Sequence, residues 1–144
     1  MQNKHKIKIF LVDDDPVYLK ILEIQFLEHG DFIIETFATG ELCLVGLTDK
    51  PDIIILDYHL NGVVLSAMNG IQTLDEIKKF DSEIPVIMLS SQDKIEVAIS
   101  CMHHEAYDYV VKSETAFVRL KKIITLIFFY KKMKKELNWY MERM

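Results

Sequence analysis

Five short runs of apolar, largely β-branched residues punctuate the chain: Ile7–Val12, Phe32–Phe37, Asp52–Leu56, Pro85–Leu89 and Tyr107–Val111. Each reads as a strand. Between them, apolar residues recur at helical spacing. The first helix has Asp15 as its N-cap, Pro16 at its first helical position and Gly30 just past its end, the start and stop chemistry that helices favour. The second is expected after Thr39, the third near Asn69, the fourth around Gln92 or Asp93, and the fifth after Ser113. The runs IIIL and VIML are continuously apolar, and strands that do not alternate are buried on both faces, as in a parallel sheet covered by helices. Five strand–helix repeats of this kind predict an α/β fold, a doubly wound five-stranded parallel sheet with an extended C-terminal helix.

Length and composition fit one core. The 144 residues are 50% hydrophobic and 27% charged, with only 5 Gly and 3 Pro, which excludes disordered and linker-rich chains. The longest near-apolar stretch, Ile123 to Tyr130, is far short of the ~20 residues that cross a bilayer. Lys4, Lys6 and Lys8 precede the apolar IFLV, but Asp13, Asp14 and Asp15 follow at once, which no secretory leader tolerates. The expectation is a cytoplasmic protein with no membrane span. Cys43 and Cys101 lie far apart in apolar segments and are expected as reduced core thiols rather than a disulfide. The net charge of -5 is divided: residues 1–118 hold 9 Lys and 20 acids, whereas residues 119–144 hold 8 Lys and Arg against 2 Glu. A basic tail of this kind is either a solvated helix face or a contact for an acidic partner or nucleic acid.

In a doubly wound sheet the ligand site lies beyond the carboxyl ends of the strands. Here those ends carry Asp13 and Asp14, Asp57, Ser90 and Ser91, and Lys112. Clustered carboxylates repel one another, and a hard divalent cation with oxygen ligands, Mg²⁺ or Mn²⁺, relieves that repulsion. A carboxylate beside such a cation, with an ammonium and a hydroxyl in reach, is equipped to attack a phosphoryl group. Asp57 is the expected nucleophile, because its strand is expected at the centre. Asp15 reads as an N-cap rather than a ligand.

The motifs LVDDDP at 11–16, PDIIILD at 51–57, PVIMLSS at 85–91 and YDYVVKS at 107–113 together resemble two-component response-regulator receiver domains. The resemblance covers roughly residues 7 to 128 and implies a flavodoxin-like sheet of order 2-1-3-4-5. It implies Asp57 as phosphoacceptor, with Asp13, Asp14, Asp57 and the backbone carbonyl of His59 around Mg²⁺. Ser90 and the backbone N–H of Ser91 would meet the phosphoryl oxygens, Lys112 would pair with the same group, and Ser90 with Tyr109 would form the switch. The implied donor is a histidine kinase or phosphotransfer protein. Such a protein is a regulator that assists its own phosphorylation rather than a turnover enzyme. One alternative is a receiver-shaped module that binds partners without phosphate. Another, a hydrolytic phosphatase, needs a second acid two residues after the nucleophile, where His59 stands.

Three departures qualify the resemblance. Ser113 replaces the usual Pro after the lysine, so a cis bond is not expected there, which loosens the expectation for Lys112. Ser91 replaces a small residue, a tolerable change. The stretch YHLNGVVLSAMNG at 58–70 is long, and its apolar middle, Val63 to Leu65, either packs over the site, meets a partner or is a harmless insertion. The first helix carries more apolar residues than one buried stripe needs, so some are exposed, covered by a partner, or buried unusually deeply. From Thr115 to Met144 there is neither Gly nor Pro. A receiver domain over 1–128 is therefore expected to continue into a helix over 129–144. A seam of Leu120, Ile123, Ile127, Tyr130, Leu137, Met141 and Met144, interrupted at Lys134, predicts a homodimer through this helix or through the face of helix four, strand five and helix five. The helix could instead fold back or lead into an output domain. No DNA-binding module is visible, so direct nucleic-acid contact is not expected.

Overall fold

A computed structural model describes residues 6–144; the expected charge of Lys4 lies outside them. The strands β1 (Ile7–Val12), β2 (Phe32–Phe37), β3 (Ile53–Asp57), β4 (Val86–Ser90) and β5 (Asp108–Val111) alternate with helices α1 (Pro16–Glu28), α2 (Gly40–Val45), α3 (Gly70–Phe80), α4 (Ile95–His103) and α5 (Ala116–Glu142). A 3-10 turn over Gly46–Asp49 follows α2. All neighbouring strands pair in parallel, in the order 2-1-3-4-5. The flavodoxin-like expectation is met.

Alternation along each strand divides the core in two. Ile9, Leu11, Ile53, Ile55, Ile87 and Leu89 face α1 and α5, packing with Leu22, Phe26, Leu120 and Ile124. Phe10, Val12, Ile54, Leu56, Val86 and Met88 face α2, α3 and α4, packing with Cys43, Leu74, Ile77 and Cys101. Each such side chain contributes roughly 1.5–3 kcal/mol by leaving water, and the period of two lets one strand feed both layers. Both cysteines are free and buried, and burial pushes their thiols up to about 12 for Cys43 and about 11 for Cys101, so neither is a thiolate near neutral pH.

β3 and β4 each begin and end one residue later than the apolar runs imply. Asp52 and Pro85 stay outside the ladder, while Asp57 pairs with Leu89 and carries β3 one step further. α4 begins at Ile95 rather than at Gln92 or Asp93. The reason lies in the partners of Gln92: its N–H donates to Ser90 Oγ at 3.0 Å, and its carbonyl accepts from Tyr109 Oη on β5, so both groups are committed outside a helix. Asp15, Thr39 and Asn69 cap the first three helices as expected, Asn69 within a reciprocal capping box with Gln72.

Two surfaces are left open. On α1, Leu22 and Phe26 are buried while Val17, Ile21, Ile24 and Leu27 are exposed, which rules against the deeply buried alternative for that helix. On α5, Ala116, Phe117, Leu120, Ile124 and Ile127 pack on the sheet, and every residue after Phe128 is exposed. The expected seam is corrected by this placement, because Leu120 and Ile127 are consumed by the core. Val118, Phe129, Trp139 and Met141 are exposed as well, and within the exposed apolar residues one row, Leu126, Tyr130, Met133, Leu137, Tyr140 and Met144, recurs in alternating steps of four and three and passes Lys134 by using Met133 instead. Among the described residues no helix is long and apolar enough to cross a membrane.

Candidate phosphoacceptor and metal site

The rim is assembled by four neighbouring strands, β1, β3, β4 and β5. Asp13 follows β1 directly, with its N–H held by the Phe37 carbonyl at 3.1 Å. Asp57 closes β3, and pairing with Leu89 sets it beside the end of β4, where Ser90 lies fully buried. Lys112 follows β5, fixed by its own N–H to the Ser90 carbonyl at 2.8 Å.

Oxygens of Asp13, Asp14 and Asp57 lie within 4.8 Å of one another. Asp13 Oδ1 accepts from the Asp15 N–H at 2.9 Å. Its Oδ2 is buried and accepts no aligned hydrogen bond, although Lys112 Nζ lies 2.8 Å away as an ion pair. Lys112 Nζ is also 3.4 Å from Asp57 Oδ1, which accepts from the His59 N–H at 3.3 Å. One ammonium faces two buried carboxylates, with a third at the edge, so negative charge remains in excess. Burial, and then the neighbouring Asp13 charge, push the Asp57 carboxyl up to about 7 despite Lys112 and the His59 amide. For Lys112, burial alone would lower the ammonium's pKa, but the Asp13 and Asp57 carboxylates outweigh it and raise the value. A hard divalent cation fits this donor set: three carboxylates with oxygens within 4.8 Å of one another, in a site too negative for its single lysine.

Lys112 reaches both acids with no cis peptide bond among the described residues. Part of its placement comes from a residue that the strand-end reading misses. The ammonium lies 4.5 Å from the centroid of the Tyr18 ring, a cation–π contact from the first turns of α1. Tyr18 is half-buried, and desolvation raises its hydroxyl's pKa, with Lys112 opposing and Asp13 and Asp57 adding to the rise. Helical periodicity marks Tyr18 only as one more apolar residue; no local signal ties it to a lysine far along the chain.

The remaining candidates surround this centre. Ser90 Oγ and Tyr109 Oη hold the N–H and the carbonyl of the same residue, Gln92. Tyr109 is half-buried against the α3–α4 layer, and Ser91 is exposed beside Ser90. His59 stands two residues past Asp57, its ring packed edge-on to Tyr58 with centroids 4.9 Å apart. The long β3–α3 connection does not lay its apolar middle over the site: Val63 is 72% and Leu65 84% exposed. Its main chain instead reaches Asp14, to which the N–H groups of Gly62 and Val63 donate.

The model of the response regulator receiver domain matches residues 9–125. A protein-glutamate methylesterase/protein-glutamine glutaminase of Clostridium acetobutylicum is 36% identical over 117 residues, 78% of this chain and 32% of that protein. The nitrogen assimilation regulatory protein NtrX of Azorhizobium caulinodans is 32% identical over 105 residues, 72% of this chain and 22% of its own length. The chain thus spans about a third or less of these two relatives. Among solved structures, NtrX from Brucella abortus superposes with a TM-score of 0.79 at 29% identity, covering 93% of this chain and 30% of that one. A chain of the CheX–CheY–BeF3–Mg²⁺ complex from Borrelia burgdorferi superposes with a TM-score of 0.73 at 27% identity, covering 84% and 89%. The family match runs from β1 through the packed part of α5 and takes in every strand end at the rim. On that ground the chain belongs to the response regulator receiver-domain family, whose members are phosphoacceptor signalling modules.

Proposed function

We propose that this chain is a phosphorylation-controlled switch in which Asp57 accepts a phosphoryl group from the phosphohistidine of a histidine kinase or phosphotransfer protein. The observation that carries this is the placement of Asp57: a buried carboxylate at the end of the central strand, 3.4 Å from Lys112 Nζ and grouped with Asp13 and Asp14. A carboxylate oxygen of Asp57 attacks phosphorus, an acyl phosphate forms, and the P–N bond breaks with its electron pair leaving on the donor imidazole. Asp13, Asp14 and Asp57, with the His59 carbonyl, are the residues that would hold Mg²⁺ or Mn²⁺, which when bound neutralises charge on the phosphoryl oxygens. Lys112, with Nζ 3.4 Å from Asp57 Oδ1, would supply a second positive charge. Ser90 and the Ser91 N–H would meet phosphoryl oxygens, and a Ser90 drawn toward them would give up the Gln92 N–H. Tyr109, bonded to the same residue, then loses its fixed partner geometry, which biases the α4–β5–α5 face. The role is regulatory rather than that of a turnover enzyme, and the site is cytoplasmic in this reading.

The output proposed is self-association through α5. Its exposed seam from Leu126 to Met144 keeps heptad spacing, and the 27-residue helix extends about 40 Å. A solvent-exposed seam of this period is what a second helix covers. The domain division proposed is therefore a receiver over 1–128 and an association helix over 129–144. The missing Pro and the long loop are the grounds for the phosphate-independent alternative; the pairing of Lys112 Nζ with Asp13 and Asp57 weakens the first of them.

Hydroxylamine treatment of the phosphorylated protein tests the site chemistry. An acyl phosphate on Asp57 is cleaved by it, and the label is lost. A hydroxylamine-stable label would place the phosphoryl group on a hydroxyl such as that of Ser90 and contradict the proposal.

A further inference from the structure

The connection between β3 and α3 is anchored along its length. Leu60 is buried in the core, the Gly70 N–H donates to the Tyr58 carbonyl at 3.0 Å, and the Met68 N–H donates to Glu41 Oε2 at 3.1 Å. Between these anchors the tip holds no packing of its own, since Val63, Val64 and Leu65 are all exposed. A main-chain bond from the Ala67 N–H to the Val64 carbonyl at 3.0 Å closes the tip on itself, and one oxygen of the site ties it to the rim: Asp14 Oδ2 accepts from the Gly62 N–H at 3.0 Å and the Val63 N–H at 3.2 Å. Glycine eases this approach, because a Cβ at position 62 would lie 3.0 Å from the same oxygen and the carboxylate would have to give by a few tenths of an ångström.

Asp14 needs such a restraint. Unlike Asp13 and Asp57 it is only half-buried, and both neighbours repel it, so an unrestrained side chain lowers its energy by rotating toward water. Two N–H dipoles on one carboxylate oxygen oppose that rotation with charge-assisted hydrogen bonds. With both bonds made, an Asp14 oxygen still lies within 4.8 Å of the ligand oxygens of Asp13 and Asp57.

We propose that the β3–α3 loop is a positioning element for the metal ligand Asp14, acting through the main-chain N–H groups of Gly62 and Val63, so that loop order and Mg²⁺ binding stabilise each other. This rests on the metal reading of the site given above. The linkage is reciprocal: whatever factor the ordered loop contributes to Mg²⁺ affinity, Mg²⁺ contributes to loop order. A partner that grips the exposed Val63–Leu65 tip would thereby act on the metal site without touching it.

Calorimetric titration with Mg²⁺ and amide exchange by NMR test this together. Gly62→Pro and Val63→Pro each delete one donor, and each is expected to bind Mg²⁺ roughly five- to tenfold more weakly than wild type. The double change Val64→Ser, Leu65→Ser strips apolar surface from the tip but leaves Gly62 and Val63 unaltered, and it is expected to bind as wild type does. In unaltered protein, Mg²⁺ should slow exchange of the Gly62 and Val63 amides, a readout independent of any proline-induced disorder. The proposal is overturned if those two amides ignore Mg²⁺, if the proline variants bind like wild type, or if the serine variant weakens binding as much as they do. Wild type that binds no Mg²⁺ at all would instead overturn the metal reading beneath it.

Discussion

Asp57 holds its charge against burial: its side chain is 4% exposed and Asp13 stands beside it. A carboxyl raised from 3.8 to about 7 binds a proton in the native state that the unfolded chain releases, so stability falls as pH rises through that window. In metal-free protein, Asp57→Asn removes this penalty. The variant should be more stable than wild type at pH 8, by on the order of a few kcal/mol, with the difference closing towards pH 4 and shrinking when Mg²⁺ is added. Paired thermal melts across pH check this; a difference that does not depend on pH would contradict the burial argument. Tyr18 makes a second residue-scale prediction. Replacing it with Leu keeps the bulk on α1 but removes the ring face from Lys112, and a cation–π contact of about 1 kcal/mol corresponds to phosphoryl uptake slowed roughly threefold to tenfold. Timed mass spectra give the rate, and an unchanged rate would make Tyr18 packing alone.

At the scale of elements, legibility followed how local the cause is. β1 and β2 coincide with their apolar runs, and the Asp15, Thr39 and Asn69 caps stand where their side chains announce them. α4 starts late because Ser90, two residues back, and Tyr109, on β5, claim Gln92; the tyrosine is a partner that no window of neighbouring residues contains. α5 was legible as a long helix, but its seam was not, because periodicity alone does not say which apolar face the sheet will take. Burial assigns Leu120 and Ile127 to the core and leaves Leu126, Tyr130, Met133, Leu137, Tyr140 and Met144 outside. If that face pairs with a second copy, Met133→Lys with Leu137→Lys should convert a dimer to a monomer in light scattering while helix content stays constant. A mass unaffected by the two lysines would place association elsewhere.

Across the whole molecule, the meeting of the candidate site residues was readable because a parallel doubly wound sheet brings its strand ends to one edge, whatever lies between them in sequence. Asp13, Asp14, Asp57 and Lys112 do meet there, and Ser90 ends the strand between them. What sequence did not reveal are contacts made across layers: the Tyr18 ring against Lys112 and the loop amides on Asp14. Both support charged groups from the side, so they determine how well the centre is held rather than which residues form it. The central claim is that this centre takes one phosphoryl group on Asp57 with a divalent cation present. Intact-protein mass spectrometry of wild type and Asp57→Ala, each incubated with a small phosphoryl donor in Mg²⁺ and in chelator, tests it most directly. The account predicts one added phosphoryl group on wild type in Mg²⁺ alone; the same addition on Asp57→Ala, or none on wild type under either condition, would contradict it.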